Sequence, residues 1–548
     1  MTRLPMRSLV ALALAAALVS PPPLAQGEAG ARCLAPDASV LVRLESARAW
    51  NDFVHAFGAL GEGAALYDLQ QVLDGLASDE AKDAPETMPK LDPALPLYLA
   101  ASFPAGGLPA VTFAAPVTNA RSFDLHETFG TWTSRVEGNY SVVSLLPEIV
   151  VGSAPPPQLA RLRPGLVSAH VDLAGLLRTD RPLIDTGLRQ FEMSLDQFED
   201  EDAPFDVQPL MEAYLDMARG LLDRAEALDL TLERDGDQVA LAIDYTEREA
   251  REVLGEGADL APLLGFVDPE AALQLAYAGR WTDYFRLFGG LLEGMLDMYP
   301  ESLRGDLERM LTLQGRLDPL MLPGMVMGFD FGQGGMRGSY VMRTEQAPAL
   351  MDEFERLMRE FDHEGGIMSL GERAILEVDG REARVLPVRI EYEALGKALA
   401  EMEALGADAG ESSLDEEVVS AMASLYGRET RIAMLPVDGR VHVAFAPDDE
   451  GLRAELARVR NPAAPSPGLK RLLSRIEPGA VGFAYRLDFG GFMAGFGKAM
   501  ESLFSEASFP TADFSLGFWL SQNGRVWSSG GEMRIDELVR YAQALEQR

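Results

Sequence analysis

Aromatic residues recur at helical spacing in two similar segments of the chain. WNDFVHAFGALGEG begins at Trp50 and WTDYFRLFGGLLEG begins at Trp281, and seven of their fourteen positions are identical without a gap. In each copy the aromatic and leucine side chains fall three or four residues apart, which predicts a helix with one aromatic stripe. We interpret the stripe as a face that packs on the core, and an aromatic shelf facing a ligand is the alternative.

The two copies also indicate how each helix begins. Asn51 and Thr282 are predicted N-caps, and the aspartates that follow are predicted to lie in the first turn, where unpaired amides favour a carboxylate. Glycine inside a helix costs about 1 kcal/mol relative to alanine, so we expect another backbone segment to pass close to each central glycine. The repeated structural motif comprises Trp50, Asp52, Phe57, Gly58, Trp281, Asp283, Phe288 and Gly289.

Runs of alternating apolar and polar residues predict strands elsewhere in the chain. Four dipeptides that end in glycine lie between such runs, and this arrangement is typical of β-hairpins. They are Asp235-Gly236, Asp379-Gly380, Asp438-Gly439 and Asn523-Gly524.

The order of these elements predicts two related halves. Pro164-Gly165 and Pro478-Gly479 each introduce a strand that leads into a helix. We assign the halves to residues 34–250 and 262–548, with an insertion around 358–477 in the second. Hairpins alternating with helices predict an α+β fold. We expect two related halves of antiparallel meander sheets covered by helices, which form a pseudo-twofold internal repeat.

The first 25 residues resemble a secretory signal peptide. Arg3 and Arg7 precede an apolar run from Leu9 to Val19, small residues follow, and we predict cleavage after Ala25. The run is shorter than the roughly 20 residues that cross a bilayer, and no later segment stays apolar that long. We therefore predict a protein of the periplasm, or a secreted one, without a stable membrane span.

Cys33 is the single cysteine, so no internal disulfide can form. A lipidated cysteine would tether the protein to a membrane. Arg32, however, occupies a position that the lipoprotein signal fills with a small residue. We therefore disfavour lipidation and expect the core alone to stabilise the exported chain.

The net charge of −37 argues against nucleic acid as a partner. An acidic surface of this strength attracts cations. The run from Asp196 to Asp206 is rich in carboxylates, but it lacks the alternating spacing and central glycine of the twelve-residue calcium loop. We favour a solvated acidic surface, and weak binding of divalent cations is the alternative.

The sequence contains no recognisable catalytic or metal-binding motif. Its five histidines are not paired at ligand spacing, and one cysteine cannot form a zinc site. No serine lies in a glycine-flanked hydrolase elbow, and no cofactor is indicated. Asp172 and Asp488 follow two matching strands and are conceivable as paired carboxylates for acid–base catalysis. Each stands at a strand-to-helix junction, so we favour helix capping, assign no catalytic residues and leave open whether the protein is an enzyme.

Methionines are concentrated between the second aromatic helix and the strands that follow it. Thioether side chains adapt to irregular apolar shapes, which suggests a cleft for a lipid-like ligand. Filling of the core is the more common role of such residues. The candidate ligand-binding residues are Met295, Met298, Met321, Met325 and Met327.

The chain resembles an uncharacterised family of exported bacterial proteins that is described only as a domain of unknown function. The resemblance rests on PDASVLVRL from Pro36, on VDGRVHVAFAPDDEGLRAELARV from Val437, and on the Pro-Gly strand that follows. It covers nearly the whole mature chain through patterns of apolar and turn residues. The family carries no catalytic residues that transfer to this sequence.

These observations favour a non-catalytic exported protein that binds an apolar, lipid-like ligand or a protein partner in the cell envelope. A hydrolase with a carboxylate-based site at Asp172 or Asp488 is one alternative, because both aspartates follow matching strands. A cation-binding structural protein is the other, because the surface is strongly acidic.

Overall fold

A computed structural model describes most of the chain after the N-terminal segment. The described residues are 29–58, 68–75, 88–103, 110–124, 132–146, 148–195, 208–250, 255–280, 282–283, 296, 304–305, 308–309, 312, 315–332, 335–363, 366, 368–392, 394, 423, 427–499 and 512–546. The chain forms two compact units: the first contains residues up to Pro182 together with Glu226–Ile243, and the second contains Leu183–Ala225 together with Asp244 and all later residues. Helices and antiparallel strands together give an α+β fold, as predicted.

The first unit is built on an antiparallel sheet with the strand order β4-β5-β3-β2-β1-β6-β7. Strand β8 follows β7 in the chain and ends in the second unit. The strands are β1 Val40–Leu44, β2 Leu97–Ser102, β3 Ala110–Pro116, β4 Thr133–Glu137, β5 Tyr140–Ser144, β6 Val167–Val171, β7 Ala225–Asp235 and β8 Gln238–Glu247.

In the described part of the chain, the first unit contains the helices α1 Ala47–Phe57 and α2 Leu69–Gly75 and the start of α3 Leu173–Leu195, which ends in the second unit. Helix α1 is the first aromatic helix predicted from the sequence. Its buried residues are Ala47 and Val54, whereas the rings of Trp50, Phe53 and Phe57 are half-buried and contact one another. The aromatic stripe is therefore only partly covered.

Helix α1 begins earlier than its sequence suggests. Its N-cap is Ser46, whose hydroxyl accepts a hydrogen bond from the amide of Ala49 at 3.1 Å, and the prediction of Asn51 as the cap is wrong. Asn51 instead accepts a hydrogen bond from the amide of Leu69 at 3.0 Å, at the start of α2. Asp52 consequently lies beyond the first turn and is exposed.

The expected close approach of a backbone segment at Gly58 is also wrong. Gly58 is the C-cap of α1, and a Cβ atom placed on it would meet no atom of the described residues within 4 Å. Its φ of −59° is a conformation that any residue adopts. The glycine is therefore not required by packing.

The core of the first unit is centred on Leu41 and Tyr140, which are both fully buried. The Tyr140 hydroxyl donates a hydrogen bond to the carbonyl of Pro96 at 3.0 Å, and burial raises the pKa of this phenol. Cys33 belongs to the same core, where burial raises the pKa of its thiol. The single cysteine is thus a small packed residue in this fold.

The second unit contains a longer antiparallel sheet with the order β13-β14-β15-β16-β11-β10-β9-β17-β18-β19, and β12 also pairs with β14. Its strands are β9 Leu273–Tyr277, β10 Met325–Gly332, β11 Gly335–Arg343, β12 Met368–Leu370, β13 Ala374–Val378, β14 Arg381–Ile390, β15 Glu429–Val437, β16 Arg440–Ala446, β17 Val481–Asp488, β18 Ser515–Asn523 and β19 Val526–Arg534.

Among the residues that the structure describes, six further helices follow α3 in the chain, and they lie in the second unit. Asp448 and Ser466 cap two of them by accepting hydrogen bonds from the amides of Gly451 and Leu469. The helices are α4 Gln208–Arg224, α5 Ala347–Glu360, α6 Asp449–Ala457, α7 Pro467–Leu473, α8 Phe489–Ala499 and α9 Ile535–Glu546. No helix among the described residues is long and apolar enough to cross a bilayer.

The predicted turn dipeptides all occur between consecutive strands. Their glycines have φ values of +59°, +76°, +69° and +58°, a region that favours glycine because other residues carry a Cβ atom. The residues are Gly236, Gly380, Gly439 and Gly524.

Candidate ligand-binding cavities

The structure places the described candidate methionines in or beside a packed core. Met321 and Met325 are buried in a cluster that helix α5 forms with the sheet through Leu350 and Met351. Met327 is half-buried on β10. None of these three methionines lines the two described cavities of the second unit. The candidates Met295 and Met298 lie outside the described residues.

The second copy of the aromatic motif is described only at Thr282 and Asp283, and Trp281, Phe288 and Gly289 lie outside the described residues. Asp283 is buried, unlike Asp52 in the first copy. It accepts a hydrogen bond from the amide of Arg280 at 3.3 Å, while the Thr282 hydroxyl donates to Asp318 at 2.9 Å. Thr282 and Asp283 are both helical, and Asp283 fixes the backbone that leads into them.

Asp172 and Asp488 both cap helices, as the capping interpretation predicted. Asp172 accepts a hydrogen bond from the amide of Gly175 at 2.8 Å, at the start of α3. Asp488 accepts one from the amide of Gly491 at 3.1 Å, at the start of α8. Amide donors at helix starts explain both carboxylates without acid–base chemistry.

Metal ligands do not converge in the part of the chain that the structure describes, where no group of three or more histidine, cysteine or carboxylate residues could hold a metal ion. The acidic run from Asp196 to Asp206 lies outside the described residues. The calcium hypothesis for that run therefore stays a prediction.

The larger described cavity of the second unit, the apolar cavity, has a volume of about 600 Å³. Its walls are the segment before β9, helix α7 and the loop that connects α7 to β17. Most of its lining is apolar, and the polar residues are Asp259, Lys470, Ser474 and Glu477. The lining residues are Ala258, Asp259, Leu260, Ala261, Leu264, Ala278, Lys470, Leu473, Ser474, Ile476, Glu477, Pro478, Gly479 and Ala480.

Backbone hydrogen bonds hold the walls of the apolar cavity together. The amide of Gly257 donates to the carbonyl of Gly479 at 2.9 Å, and the amide of Ala258 donates to that of Ala278 at 2.7 Å. Gly479 has a φ of +82°, which lets the chain turn from α7 into β17. The cavity is therefore framed by connected backbone segments.

The apolar surface inside this cavity comes from two groups of residues. Leu260 and Leu264 line the cavity and are buried. Leu473 and Ile476 are half-buried at the end of α7 and just after it. Because their side chains are neither fully packed nor fully solvated, they supply apolar surface that a ligand can cover.

The second cavity, the arginine cavity, has a volume of about 320 Å³. Two copies of the tetrapeptide Val-Asp-Gly-Arg contribute six of its ten lining residues, one copy beginning at Val378 and the other at Val437. The lining residues are Val378, Asp379, Arg381, Leu435, Val437, Asp438, Arg440, Leu456, Val459 and Arg460.

Neutral groups hold the Arg440 side chain in place. Its guanidinium carbon lies 4.2 Å from the centre of the Phe266 ring, and its Nε donates a hydrogen bond to Nε2 of His442 at 3.0 Å. Burial, reinforced by the positive charges of Arg440 and Arg381, lowers the pKa of His442 to about 3. His442 is therefore neutral and does not offset the charge of Arg440.

Sequence reasoning missed both cavities, although it had singled out parts of them. Pro478-Gly479 was recognised as the start of a strand, and Asp379-Gly380 and Asp438-Gly439 were recognised as hairpins. The recurrence of valine before and arginine after the two hairpin dipeptides was the available signal. Nothing comparable marks the apolar cavity, because its leucines and alanines look like core residues.

No family model matches the sequence, and no curated protein matches it. Solved structures of TP0453 show a weak similarity. Crystal form III has a TM-score of 0.24 and 12% identity, covering 52% of this chain and 97% of TP0453. Crystal form I has a TM-score of 0.23 and 10% identity, covering 53% and 99%. TM-scores this low support no inference about function.

Proposed function

We propose that the protein is a non-catalytic exported protein that binds an apolar small molecule in the apolar cavity. The observation that carries this proposal is a volume of about 600 Å³ with a mainly apolar lining. Ligand sites usually span about 300–1,000 Å³ and combine apolar walls with a few polar groups. The apolar cavity has both properties. We therefore propose it as the ligand site, and no longer the methionine-lined cleft that the sequence suggested.

The polar groups of the apolar cavity do not favour one charge. Lys470 is exposed on α7, whereas Asp259 and Glu477 carry the opposite charge. The Asp259 carboxylate already accepts a hydrogen bond from the amide of Ala261 at 3.0 Å, and Glu477 accepts one from Asn523. We therefore expect affinity to come mainly from burial of the ligand's apolar surface, at roughly 25 cal/mol per Å².

We further propose that the ligand is met outside the cytoplasm. Arg3 and Arg7, the apolar run from Leu9 to Val19 and the small residues before Ala25 support export through a cleaved signal peptide. The periplasm is the favoured compartment. An apolar ligand that is poorly soluble in water would benefit there from a soluble carrier.

We also propose that the chain consists of two related halves. In the first unit the strand order β4-β5-β3-β2-β1-β6-β7 parallels β15-β16-β11-β10-β9-β17-β18 in the second. Strands β6 and β17 each lead through a capping aspartate, Asp172 or Asp488, into a helix. These correspondences support the repeat independently of the aromatic motif.

The ligand-binding proposal is tested with the variant Ile476→Asp. Ile476 is half-buried in the cavity wall, so a carboxylate there adds a charge to apolar surface, and we expect the fold to tolerate it because the side chain can still reach water. Ile375→Asp is the matched control, because Ile375 is 55% exposed on β13 and lies outside the cavity. Both variants carry the same chemical change.

The measurement is fluorescence titration with the neutral apolar dye N-phenyl-1-naphthylamine, followed by native mass spectrometry of protein isolated from its own envelope fraction. We expect Ile476→Asp to weaken dye binding about tenfold or more, the equivalent of roughly 1.4 kcal/mol. We expect Ile375→Asp to bind like the parent protein. Equal dye affinity in all three proteins would exclude the apolar cavity as the binding site. Extra mass in the parent protein that Ile476→Asp lacks would identify the natural ligand.

A further inference from the structure

The arginine cavity is built by two equivalent turns. Val378-Asp379-Gly380-Arg381 connects β13 to β14, and Val437-Asp438-Gly439-Arg440 connects β15 to β16. Strands β14 and β15 pair with Arg384 opposite Met434, and β15 and β16 pair with Val437 opposite Arg440. Continuing the first register places Arg381 level with Val437. The two turns therefore lie side by side at one end of the sheet.

This register gives Arg381 and Arg440 the same position in neighbouring hairpins. Each is the first residue of a strand, and each flanks the end of β15. Arg460, which follows helix α6, adds a third guanidinium to the cavity. Three arginines in one small cavity are unexpected in a chain whose net charge is −37.

Two carboxylates share the cavity with these arginines. Asp379 lies 3.9 Å from Arg460, a distance at the limit of an ion pair, and both side chains are largely in solvent. Asp438 is exposed on its turn and interacts with Arg440 without forming an ion pair. Within the described residues, no carboxylate oxygen lies close enough to the guanidinium nitrogens of Arg381 or Arg440 to form an ion pair with them.

The surroundings of Arg440 leave its charge available. The Phe266 ring and the neutral His442 ring fix the guanidinium but carry no negative charge. Burial lowers the pKa of Arg440, which reflects the cost of holding a charge away from water; the Asp438 carboxylate opposes this effect and Arg381 adds to it. A bound anion would offset that cost, because hydrogen bonds between ionised groups are among the strongest in proteins.

From these observations we infer that the arginine cavity binds a phosphate-type oxyanion through Arg381 and Arg440. Guanidinium groups present several donors in a planar fork that matches phosphate and sulfate oxygens. The volume of about 320 Å³ accommodates a free oxyanion or the phosphate end of a small organic molecule. The free ion and the organic phosphate would present the same kind of oxygen atoms to the two arginines.

Isothermal titration calorimetry tests this inference with two probes, inorganic phosphate and glycerol 3-phosphate. Chloride keeps the ionic strength constant, because screening alone weakens contacts between exposed charges. The variants are Arg381→Gln and Arg440→Gln. Arg453→Gln is the matched control, because Arg453 is exposed on α6 and does not line the cavity.

We expect the parent protein and Arg453→Gln to bind at least one probe with equal affinity. Arg381→Gln and Arg440→Gln should each weaken that binding about tenfold or more. Arg381 is exposed, so its variant keeps the test valid even if Arg440→Gln fails to fold. Binding of inorganic phosphate would identify a site for the free ion, and binding of glycerol 3-phosphate alone would identify an organic phosphate.

Two results would overturn the inference: no heat of binding for either probe, or the same affinity in Arg381→Gln as in Arg453→Gln. This test is independent of the dye-binding test for the apolar cavity, because the two cavities share no lining residue. The variant Ile476→Asp should therefore bind phosphate normally, and Arg381→Gln should bind the apolar dye normally.

Discussion

A Cβ atom placed on Gly257 would lie 1.8 Å from the carbonyl oxygen of Ala480. The two residues belong to backbone segments that frame the apolar cavity, and the amide of Gly257 bonds to the neighbouring carbonyl of Gly479 at 2.9 Å. Because the obstructing atom is backbone, it cannot move aside as a flexible side chain would. The absence of a side chain at Gly257 is thus a condition for closing this part of the second unit.

We predict that Gly257→Ala destabilises the second unit by about 3 kcal/mol, the upper end of the usual cost of overpacking. Urea unfolding followed by circular dichroism measures this effect. Gly58→Ala is the control, because no atom in the described part of the chain lies within 4 Å of the Gly58 Cβ position and its φ is −59°. That substitution should be neutral or stabilise by about 0.4–1 kcal/mol. Similar unfolding midpoints for the two variants would show that the segments at Gly257 can separate freely.

The start of helix α1 gives a second prediction. Ser46 accepts a hydrogen bond from the amide of Ala49 at 3.1 Å, so Ser46→Ala should destabilise the first unit by about 1 kcal/mol. Asp52 is exposed beyond the first turn, so Asp52→Asn should change stability by less than about 0.5 kcal/mol. Thermal unfolding of both variants compares them directly. If Asp52→Asn lost more stability than Ser46→Ala, Asp52 would lie in the first turn of the helix, as the sequence suggests.

The turns were predictable because their cause is local. A glycine with positive φ between two alternating runs produces a hairpin almost regardless of the surrounding fold, as at Gly236 and Gly524. The helix start was not predictable, because Ser46 and Asn51 are both good caps in isolation. Burial of Ala47 favours the earlier cap, and that burial depends on the rest of the first unit.

The candidate sites were harder to predict, because distant residues of ordinary type form them. Leu260 and Ile476 meet at the apolar cavity only after the strands between them have paired. Their residue types are the same as those of the packed core. Met325 shows the opposite case, in which a predicted ligand-binding residue is part of the core. Methionine suits a ligand site, but it also fills protein interiors, and Met325 is buried.

Burial of His442 leads to a prediction about its titration. Burial, together with the charges of Arg440 and Arg381, lowers the pKa of this imidazole from its ordinary 6.5 to about 3. The folded state therefore keeps His442 neutral, whereas the unfolded state protonates it below about pH 6.5. The contribution of His442 to the free energy of unfolding is complete above that pH and is lost as the pH falls toward 3. In proton NMR spectra, the His442 Cε1 proton should keep a constant chemical shift from about pH 8 to pH 4.

His442→Gln identifies the resonance, because only five histidines are present. Arg440→Gln should raise the pKa of His442 only in part, since burial is the larger cause of its depression. A midpoint near the ordinary value in the parent protein would mean that water reaches the ring. In that case His442 would become charged in mildly acidic solution and could no longer accept the hydrogen bond from Arg440 that fixes this side chain in the arginine cavity.

The buried carboxyl of Glu455 gives an opposite dependence on pH. Burial raises the pKa of this group, while Arg458 and the hydroxyl of Ser339, which donates to Glu455 at 3.2 Å, oppose the shift. Because the folded pKa exceeds the unfolded one, its contribution to stability is complete below the unfolded value near 4.5 and is lost as pH rises through the folded pKa.

Glutamine at this position resembles the protonated carboxyl and cannot lose the proton. We therefore predict that Glu455→Gln gains stability relative to the parent protein as pH rises from about 4.5, and that the gain disappears in more acidic solution. Urea unfolding midpoints across this range measure the difference. Glu382→Gln removes an exposed carboxylate of β14 and controls for the loss of one charge. If Glu455→Gln instead lost stability steadily as pH rose, the ion pair with Arg458 would outweigh the cost of burying Glu455.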